Sequence, residues 1–181
     1  MITLVLGGTR SGKSRYAQQL ALQLSPRPLY VATSRVWDDD HQARITRHQR
    51  ERGPEWRTLE CEIELAELPL DGEVAVIDCV TLWLSNFFSD EKGDVERCLA
   101  RARSILESVL QRDAQLLLVS NELGQSLHAP SEVGRKFVDL QGLVNQHIAA
   151  RADNVAWMVA GIAHYVKGAA PHVKGAAPHA E

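Results

Sequence analysis

One eight-residue motif constrains the fold of this chain more than any other feature of its sequence. Residues 7–14 read Gly-Gly-Thr-Arg-Ser-Gly-Lys-Ser, which matches the pattern G-x-x-x-x-G-K-[S/T] in full. A short apolar run at residues 2–6 precedes the motif, and apolar residues at helical spacing follow it over residues 13–24. A strand, a glycine-rich turn and a helix in this order form the context in which such a motif cradles a phosphate group. We therefore predict a phosphate-binding loop, called the P-loop below.

The residue types within the P-loop match the chemistry of a nucleoside triphosphate. Its glycines allow successive backbone N–H groups to point toward a phosphate, and the start of the following helix adds the positive end of its dipole. Lys13 supplies a cation to the β- and γ-phosphate oxygens, and the Ser14 hydroxyl can ligate Mg²⁺. We predict nucleotide contacts along the whole motif: Gly7, Gly8, Thr9, Arg10, Ser11, Gly12, Lys13 and Ser14.

Apolar periodicity predicts one α/β domain with a mostly parallel sheet over residues 1–165. Buried strands are indicated at residues 2–6, 29–32, 74–78, 116–119 and 155–160, the last of these being the last strand of the chain. Amphipathic helices are indicated at residues 13–24, 94–112 and 131–151. Strands that alternate with helices favour a parallel sheet with helices on its faces.

The C-terminal residues 166–181 differ from the rest of the chain. They contain the heptad Val-Lys-Gly-Ala-Ala-Pro-His twice in succession. Because such small residues bury little surface, we predict a flexible tail here.

Composition excludes several classes of protein. Apolar residues make up 45% of the 181 residues and charged residues 24%, as in ordinary globular domains. With 20 Lys+Arg against 23 Asp+Glu, the net charge of −3 argues against a bulk binder of nucleic acid. We find no run of 18 apolar residues that predicts a membrane span, and no basic region typical of a signal peptide at the N-terminus. The widely spaced Cys61, Cys79 and Cys98 are predicted to be free thiols in a reducing cytoplasm.

Two further features indicate phosphate chemistry. Asp78 ends an apolar run, the position from which a carboxylate supports Mg²⁺ beside a P-loop. Residues 38–57 are highly charged and predict a polar helix and loop, with five arginines between residues 44 and 57. These arginines are either a solvated helix face or a phosphate site. His48 lies among them, and a neutral imidazole there is a competent nucleophile toward phosphorus.

Five segments in order resemble one enzyme family. They are residues 7–14, Tyr-Val-Ala-Thr-Ser at 30–34, the arginine-rich residues 44–60, Asp-Cys-Val-Thr-Leu-Trp-Leu-Ser-Asn at 78–86, and Val-Ser-Asn-Glu-Leu-Gly at 119–124. Together they closely resemble the bifunctional adenosylcobinamide kinase/adenosylcobinamide-phosphate guanylyltransferases of cobalamin biosynthesis, from residue 2 to about residue 162. The chain differs from the usual residue of that family at Thr9 (alanine), Gln49 (a basic residue) and Ala163 (proline).

The resemblance implies two reactions on one RecA-like P-loop fold, assembled as a homotrimer. ATP or GTP first phosphorylates the aminopropanol hydroxyl of adenosylcobinamide. GTP then guanylylates His48 with release of pyrophosphate, and GMP passes to the cobinamide phosphate to give adenosyl-GDP-cobinamide. Lys13 and His48 would be catalytic, with Mg²⁺ on Ser14 and Asp78. Nucleotide contacts are implied at the P-loop and at Thr33, Ser34, Gln49, Arg50, Glu51, Arg52, Glu60 and Asp78.

Two other functions remain open on the sequence alone. A monofunctional P-loop kinase for another small hydroxyl substrate would need no His48. A nucleotide-gated interaction module would bind GTP or ATP and dock a protein or RNA partner through the arginines, without transfer to a small molecule. Glu122 is a weaker candidate for substrate contact, and Trp83 and Trp157 are predicted to be core residues.

Overall fold

A computed structural model describes residues 1–35, 52–125 and 128–171 of the chain. These residues form seven strands, four α-helices and a short 3-10 helix at Leu65–Glu67. The strands are β1 (Ile2–Gly7), β2 (Leu29–Ala32), β3 (Arg57–Glu60), β4 (Val74–Asp78), β5 (Gln115–Asn121), β6 (Asn154–Val159) and β7 (Ile162–Lys167). The helices are α1 (Lys13–Leu24), α2 (Val80–Asp90), α3 (Val95–Leu110) and α4 (Glu132–Arg151).

The described strands form one sheet in the order β3-β2-β4-β5-β1-β6-β7. Every neighbouring pair is parallel except β6 and β7, which are antiparallel. This confirms the predicted RecA-like α/β fold, a mostly parallel central sheet flanked by helices, in which β5 separates the P-loop strand β1 from β4. Because the parallel strands end at one edge of the sheet, the segments that follow them meet there.

Helices cover both faces of the sheet. On β5, Leu116 and Leu118 pack in a cluster with α2, α3 and α4, whereas Leu117 and Val119 pack on the opposite face with α1. Burial on both faces explains why the inner strands read as continuous apolar runs in the sequence. Trp83 of α2 is fully buried, as predicted, and its Nε1 donates a hydrogen bond to the Ile63 carbonyl at 2.7 Å.

The edges of the sheet differ from the prediction. The apolar pattern predicts no strand at residues 57–60, where β3 lies, and it predicts that residues 155–160 form the last strand. The latter prediction is wrong, because β7 follows. Both edge strands expose most of their residues, and Ile162 is 72% exposed. Their side chains therefore lack the apolar alternation by which a half-buried strand is recognised.

Strand β7 runs two residues past the boundary predicted at residue 165. The Nζ of Lys167 donates hydrogen bonds to the carbonyls of Ala149 and Ala150 in the last turn of α4, at 2.9 and 3.1 Å. These contacts satisfy carbonyls that a helix end leaves without a partner. The first heptad of the repeat thus begins within the sheet, and the second heptad lies outside the described residues.

Two further predictions concern the helices and the cysteines. None of the helices in the described ranges is both long and apolar enough to cross a membrane. Cys61, Cys79 and Cys98 are free thiols, as predicted. Burial, with the Asp78 carboxylate beside it, raises the pKa of Cys79 to about 12, and burial raises the pKa of Cys98 to about 11. Both thiols are therefore neutral near neutral pH, which makes them poor nucleophiles.

Candidate nucleotide-binding site

The P-loop joins the end of β1 to the start of α1, and two of its glycines are required by its geometry. A Cβ atom on Gly7 would lie 2.5 Å from Ser11 Oγ and 2.8 Å from the Met158 carbonyl oxygen. Gly12 precedes α1 with φ of 92°, a left-handed conformation that side chains disfavour. The motif therefore folds as the sequence predicted, with a tight turn and a helix start.

Lys13 is the first residue of α1 and its side chain is buried. Its Nζ donates a hydrogen bond to the Gly8 carbonyl at 2.9 Å, so the side chain folds back along the P-loop. Ser14 follows in the first turn of α1 and is half-buried. This arrangement brings an ammonium group and a hydroxyl to a helix N-terminus, where anions are favoured.

The turn between β6 and β7 supports the P-loop from the side. Ala160 and Gly161 have φ angles of 50° and 85°, as in the two-residue turns that join antiparallel strands. The Gly161 amide donates a hydrogen bond to the Ser11 carbonyl at 3.0 Å. A Cβ atom on Gly12 would lie 3.3 Å from the Cα of Gly161, so the two backbones are in close contact.

We expect Gly7→Ala to weaken GTP binding by about tenfold, because the added methyl group must displace Ser11 or the Met158 backbone. Equilibrium titration with a fluorescent GTP analogue measures the change. Gly142→Ala in α4 is the matched control, since a Cβ atom there meets nothing within 4 Å. Wild-type affinity in Gly7→Ala would show that the close packing of this loop does not matter for binding.

Strand register brings the other predicted residues to the same edge of the sheet. Ala32, the last residue of β2, pairs with Glu60 of β3 on one side and with Asp78 of β4 on the other. Residues 33 and 34 therefore emerge beside both carboxylates, at the edge where β1 ends in the P-loop. Ser34 is half-buried and Glu60 is exposed.

Thr33 is fully buried, and its hydroxyl forms hydrogen bonds with the backbone of Cys79. It accepts a hydrogen bond from the Cys79 amide and donates one to the Cys79 carbonyl, both at 2.8 Å. The Asn86 side chain donates to the carbonyls of Thr33 and Glu62, also at 2.8 Å. These bonds fix the ends of β2 and β4 relative to each other, at the place where the predicted site residues emerge.

One of the five arginines between residues 44 and 57, Arg52, contacts a side chain that is hydrogen-bonded to Asp78. Tyr30 of β2 donates a hydrogen bond from its hydroxyl to Asp78 Oδ2 at 3.0 Å. The Arg52 guanidinium lies over the Tyr30 ring, 3.8 Å from its centroid. The other predicted residues of this segment, His48, Gln49, Arg50 and Glu51, lie outside the described residues.

An open cleft of about 630 Å³ lies beside the P-loop. Its walls are Gly8–Ser11 of the P-loop, the segment after β5 and the end of β6, and this size falls within the range of small-molecule sites. Glu122, the weaker candidate for substrate contact, is one of the residues that line it. Its backbone amide donates to the Gly7 carbonyl at 3.1 Å, which ties the end of β5 to the P-loop.

Trp157 also lines this cleft, and the prediction that it is a core residue is wrong. It is only half-buried, and it lies two residues before the end of β6, where the strand meets the cleft. An apolar run in the sequence cannot distinguish a core position from the wall of a cleft. Gln125, likewise a wall residue, carries no sequence signal that would have marked it.

Within the described ranges, no group of three or more His, Cys, Asp or Glu side chains gathers as a metal cluster.

Comparison with known proteins gives a consistent result over nearly the whole chain. A family model described as cobinamide kinase / cobinamide phosphate guanyltransferase matches residues 3–166. The bifunctional adenosylcobalamin biosynthesis protein CobP of Pseudomonas aeruginosa is 36% identical over 166 residues, which cover 90% of this chain and 95% of that protein. Bifunctional adenosylcobalamin biosynthesis proteins named CobU from Escherichia coli and Salmonella typhimurium are each 37% identical, and each alignment covers 90% of this chain and 97% of the relative.

Among solved structures, the flagellar accessory protein FlaH from Methanocaldococcus jannaschii aligns with 92% of this chain and 77% of its own. Its TM-score of 0.43 and identity of 14% make this a weak likeness, which says nothing about activity. The family match and the CobP and CobU relatives are much stronger, and they agree with each other. On these matches, the chain belongs to the cobinamide kinase / cobinamide phosphate guanyltransferase family, whose named relatives are bifunctional enzymes.

Proposed function

We propose that this chain catalyses both reactions of its family on adenosylcobinamide. A nucleoside triphosphate, ATP or GTP, phosphorylates the aminopropanol hydroxyl, and GMP from GTP is then transferred to the new phosphate to give adenosyl-GDP-cobinamide. The match of residues 3–166 to a family described by both activities carries the proposal. The folded P-loop with its buried lysine supports it, since both reactions begin from a bound triphosphate.

In the kinase reaction, the P-loop amides and Lys13 hold the triphosphate and stabilise charge on the transferred group. The substrate oxygen attacks the γ-phosphorus, the bond from that phosphorus to the β-phosphate oxygen breaks, and the nucleoside diphosphate leaves. The hydroxyl proton passes to solvent or to a base. The Lys13 side chain already lies along the loop in the described structure, so little ordering is needed when the nucleotide binds.

We assign Ser14 and Asp78 to Mg²⁺ that arrives with the nucleotide. Their hydroxyl and carboxylate oxygens are hard donors, which suit a cation that takes its remaining ligands from phosphates and water. Ser14 lies in the first turn of α1, and Asp78 ends β4 at the same edge of the sheet. When bound, the cation neutralises charge on the phosphate oxygens.

His48 is the proposed nucleophile of the second reaction. An imidazole nitrogen attacks the α-phosphorus of GTP, a P–N bond forms, and the bond to pyrophosphate breaks. An oxygen of cobinamide phosphate then attacks the same phosphorus, and the imidazole leaves once it is protonated. Arg52, which follows His48 by four residues in the sequence, contacts Tyr30, and Tyr30 is hydrogen-bonded to Asp78. This contact supports a role for the arginines in the proposed site.

The remaining contacts are assigned by chemistry and position. The guanidinium group of an arginine can donate two parallel hydrogen bonds to phosphate oxygens, which makes Arg50 and Arg52 suitable contacts for a triphosphate. Ser34 and Glu60 place a hydroxyl and a carboxylate near this edge of the sheet. The Thr33 hydroxyl is hydrogen-bonded to the backbone of Cys79. We therefore assign Thr33 an indirect role, in which its hydroxyl holds the backbone at the end of β4 in place beside the nucleotide. Gln49 and Glu51 complete the proposed set of nucleotide contacts.

We also propose that the chain assembles as a homotrimer and acts in the cytoplasm. The resemblance of its motifs to the family supports this assembly. Light scattering coupled to size-exclusion chromatography tests it, because a trimer contains three copies of a 20.1 kDa chain.

The proposed function is tested by following products. Purified chain is incubated with adenosylcobinamide, ATP, GTP and Mg²⁺, and corrinoids are separated and identified by mass. We expect adenosylcobinamide phosphate first and adenosyl-GDP-cobinamide second, with pyrophosphate released only in the second reaction. Accumulation of the phosphate alone would indicate a monofunctional kinase, and nucleotide binding without any product would indicate the interaction module. Either result contradicts the proposal.

A further inference from the structure

The phenol of Tyr30 connects two parts of the candidate site. Tyr30 is 6% exposed, and it pairs in register with Val76, two positions before Asp78. Residues two apart on neighbouring strands lie diagonally on one face of a sheet, within reach of an aromatic side chain. The hydrogen bond from the Tyr30 hydroxyl to Asp78 Oδ2, 3.0 Å long, is thus built into the pairing of β2 with β4.

Two contacts fix the plane of the Tyr30 ring. The Arg52 guanidinium lies 3.8 Å from the centroid, and the Trp56 ring meets it edge-on, with centroids 5.9 Å apart and planes at 88°. Cation–π and edge-to-face contacts of this kind favour one ring orientation over others. The ring is therefore held with its hydroxyl toward the Asp78 carboxylate.

The phenol O–H is the donor of this hydrogen bond, and the Asp78 carboxylate oxygen is its acceptor. A protonated phenol bound to one carboxylate oxygen limits rotation of the carboxylate while its charge is kept. A carboxylate aligned in this way loses less conformational freedom when it contacts a hydrated cation.

We propose that Tyr30 is a positioning residue, which aims the Asp78 carboxylate at the Mg²⁺ bound with the nucleotide. This inference rests on the proposed function of Asp78. Tyr30 contacts neither substrate nor metal in this account, and it acts only through the orientation of Asp78. The Arg52 guanidinium and the Asp78 carboxylate thus contact the same side chain, one at the ring face and the other at the hydroxyl.

Equilibrium binding of GTP, measured by isothermal titration calorimetry with Mg²⁺ and again with EDTA, tests the role of Tyr30. Tyr30→Phe keeps the ring and removes the hydroxyl. We expect the enhancement of GTP affinity by Mg²⁺ to fall about three- to tenfold in this variant, with affinity in EDTA changed by less than about twofold. Tyr165→Phe is the matched control, because it removes a hydroxyl bonded to Tyr16 at 2.5 Å, away from Asp78, and should keep the wild-type enhancement.

Three results would overturn the inference. They are an unchanged enhancement in Tyr30→Phe, an equal loss of affinity with and without Mg²⁺, and an equal loss of enhancement in Tyr165→Phe. A wild-type chain whose GTP affinity is independent of Mg²⁺ would overturn it as well, by removing Asp78 from the metal. Because the assay contains no corrinoid and needs no His48 chemistry, failure of the proposed transfer reactions would leave this result standing.

Discussion

Replacement of Lys13 by alanine is expected to slow both reactions of the chain by about 10²–10³-fold. The variant loses the cation that stabilises charge on the triphosphate, and removal of one such preorganised group typically lowers turnover by about 10²–10³-fold. The buried position of Lys13 and its bond to the Gly8 carbonyl show that the ammonium is part of the P-loop and not a surface charge. The rates at which adenosylcobinamide phosphate and adenosyl-GDP-cobinamide form, each measured by corrinoid mass analysis, give the two effects separately.

A surface lysine supplies the control for this change. Lys136 on α4 forms an exposed ion pair with Glu132 at 2.8 Å, and such pairs contribute little to stability. Lys136→Ala should retain both activities within about twofold. A Lys13→Ala chain that folds, as judged by its thermal unfolding, and keeps either reaction near the wild-type rate would place that reaction outside the P-loop.

Replacement of His48 by alanine should separate the two reactions. Without the imidazole no P–N bond forms, so we expect adenosyl-GDP-cobinamide formation to fall by at least about 10³-fold. Phosphorylation of adenosylcobinamide needs no histidine nucleophile and should continue within about threefold of the wild-type rate. The product mixture should therefore stop at adenosylcobinamide phosphate, which is measured after incubation with ATP, GTP and Mg²⁺.

The exposed His128 provides the matched control, since His128→Ala removes an imidazole that we place in neither reaction. This variant should form both products. Continued formation of adenosyl-GDP-cobinamide by His48→Ala would exclude a guanylyl intermediate on His48. Loss of both reactions in that variant would mean that the segment also serves the kinase step.

The inner part of the fold follows from the sequence because burial leaves a readable pattern. The helix predicted at 13–24 is α1 of the structure, and the apolar runs at 29–32 and 74–78 are β2 and β4. Each of these elements packs against the core on at least one face, so its apolar spacing reports its conformation. Strands β3 and β7 are exposed edges without such spacing, and pairing with a neighbour decides their conformation.

The candidate site likewise contains residues that local sequence predicts and residues that only the pairing of distant strands brings together. Local chemistry was sufficient to predict the P-loop, since its glycines, lysine and serine are contiguous and their spacing is specific. The partner of Asp78 was not predictable, because Tyr30 lies 48 positions earlier in the chain and meets it only through the pairing of β2 with β4. The prediction that Trp157 is a core residue is wrong for a related reason, since its place on the wall of the cleft depends on how β6 ends beside the P-loop.

The most direct test of the central claim is the search for GMP bound to the chain itself. Wild type and His48→Ala are incubated with Mg²⁺ and GTP radiolabelled at the α-phosphate, then denatured, separated and mapped by tryptic digestion. Cleavage after Arg47 leaves His48 at the start of its own peptide, so the labelled site is unambiguous. We predict a label that is labile to acid and stable to base, on the His48 peptide of wild type and absent from His48→Ala. A folded, GTP-binding wild-type chain without this label, or with the label on another residue, would contradict guanylyl transfer through His48.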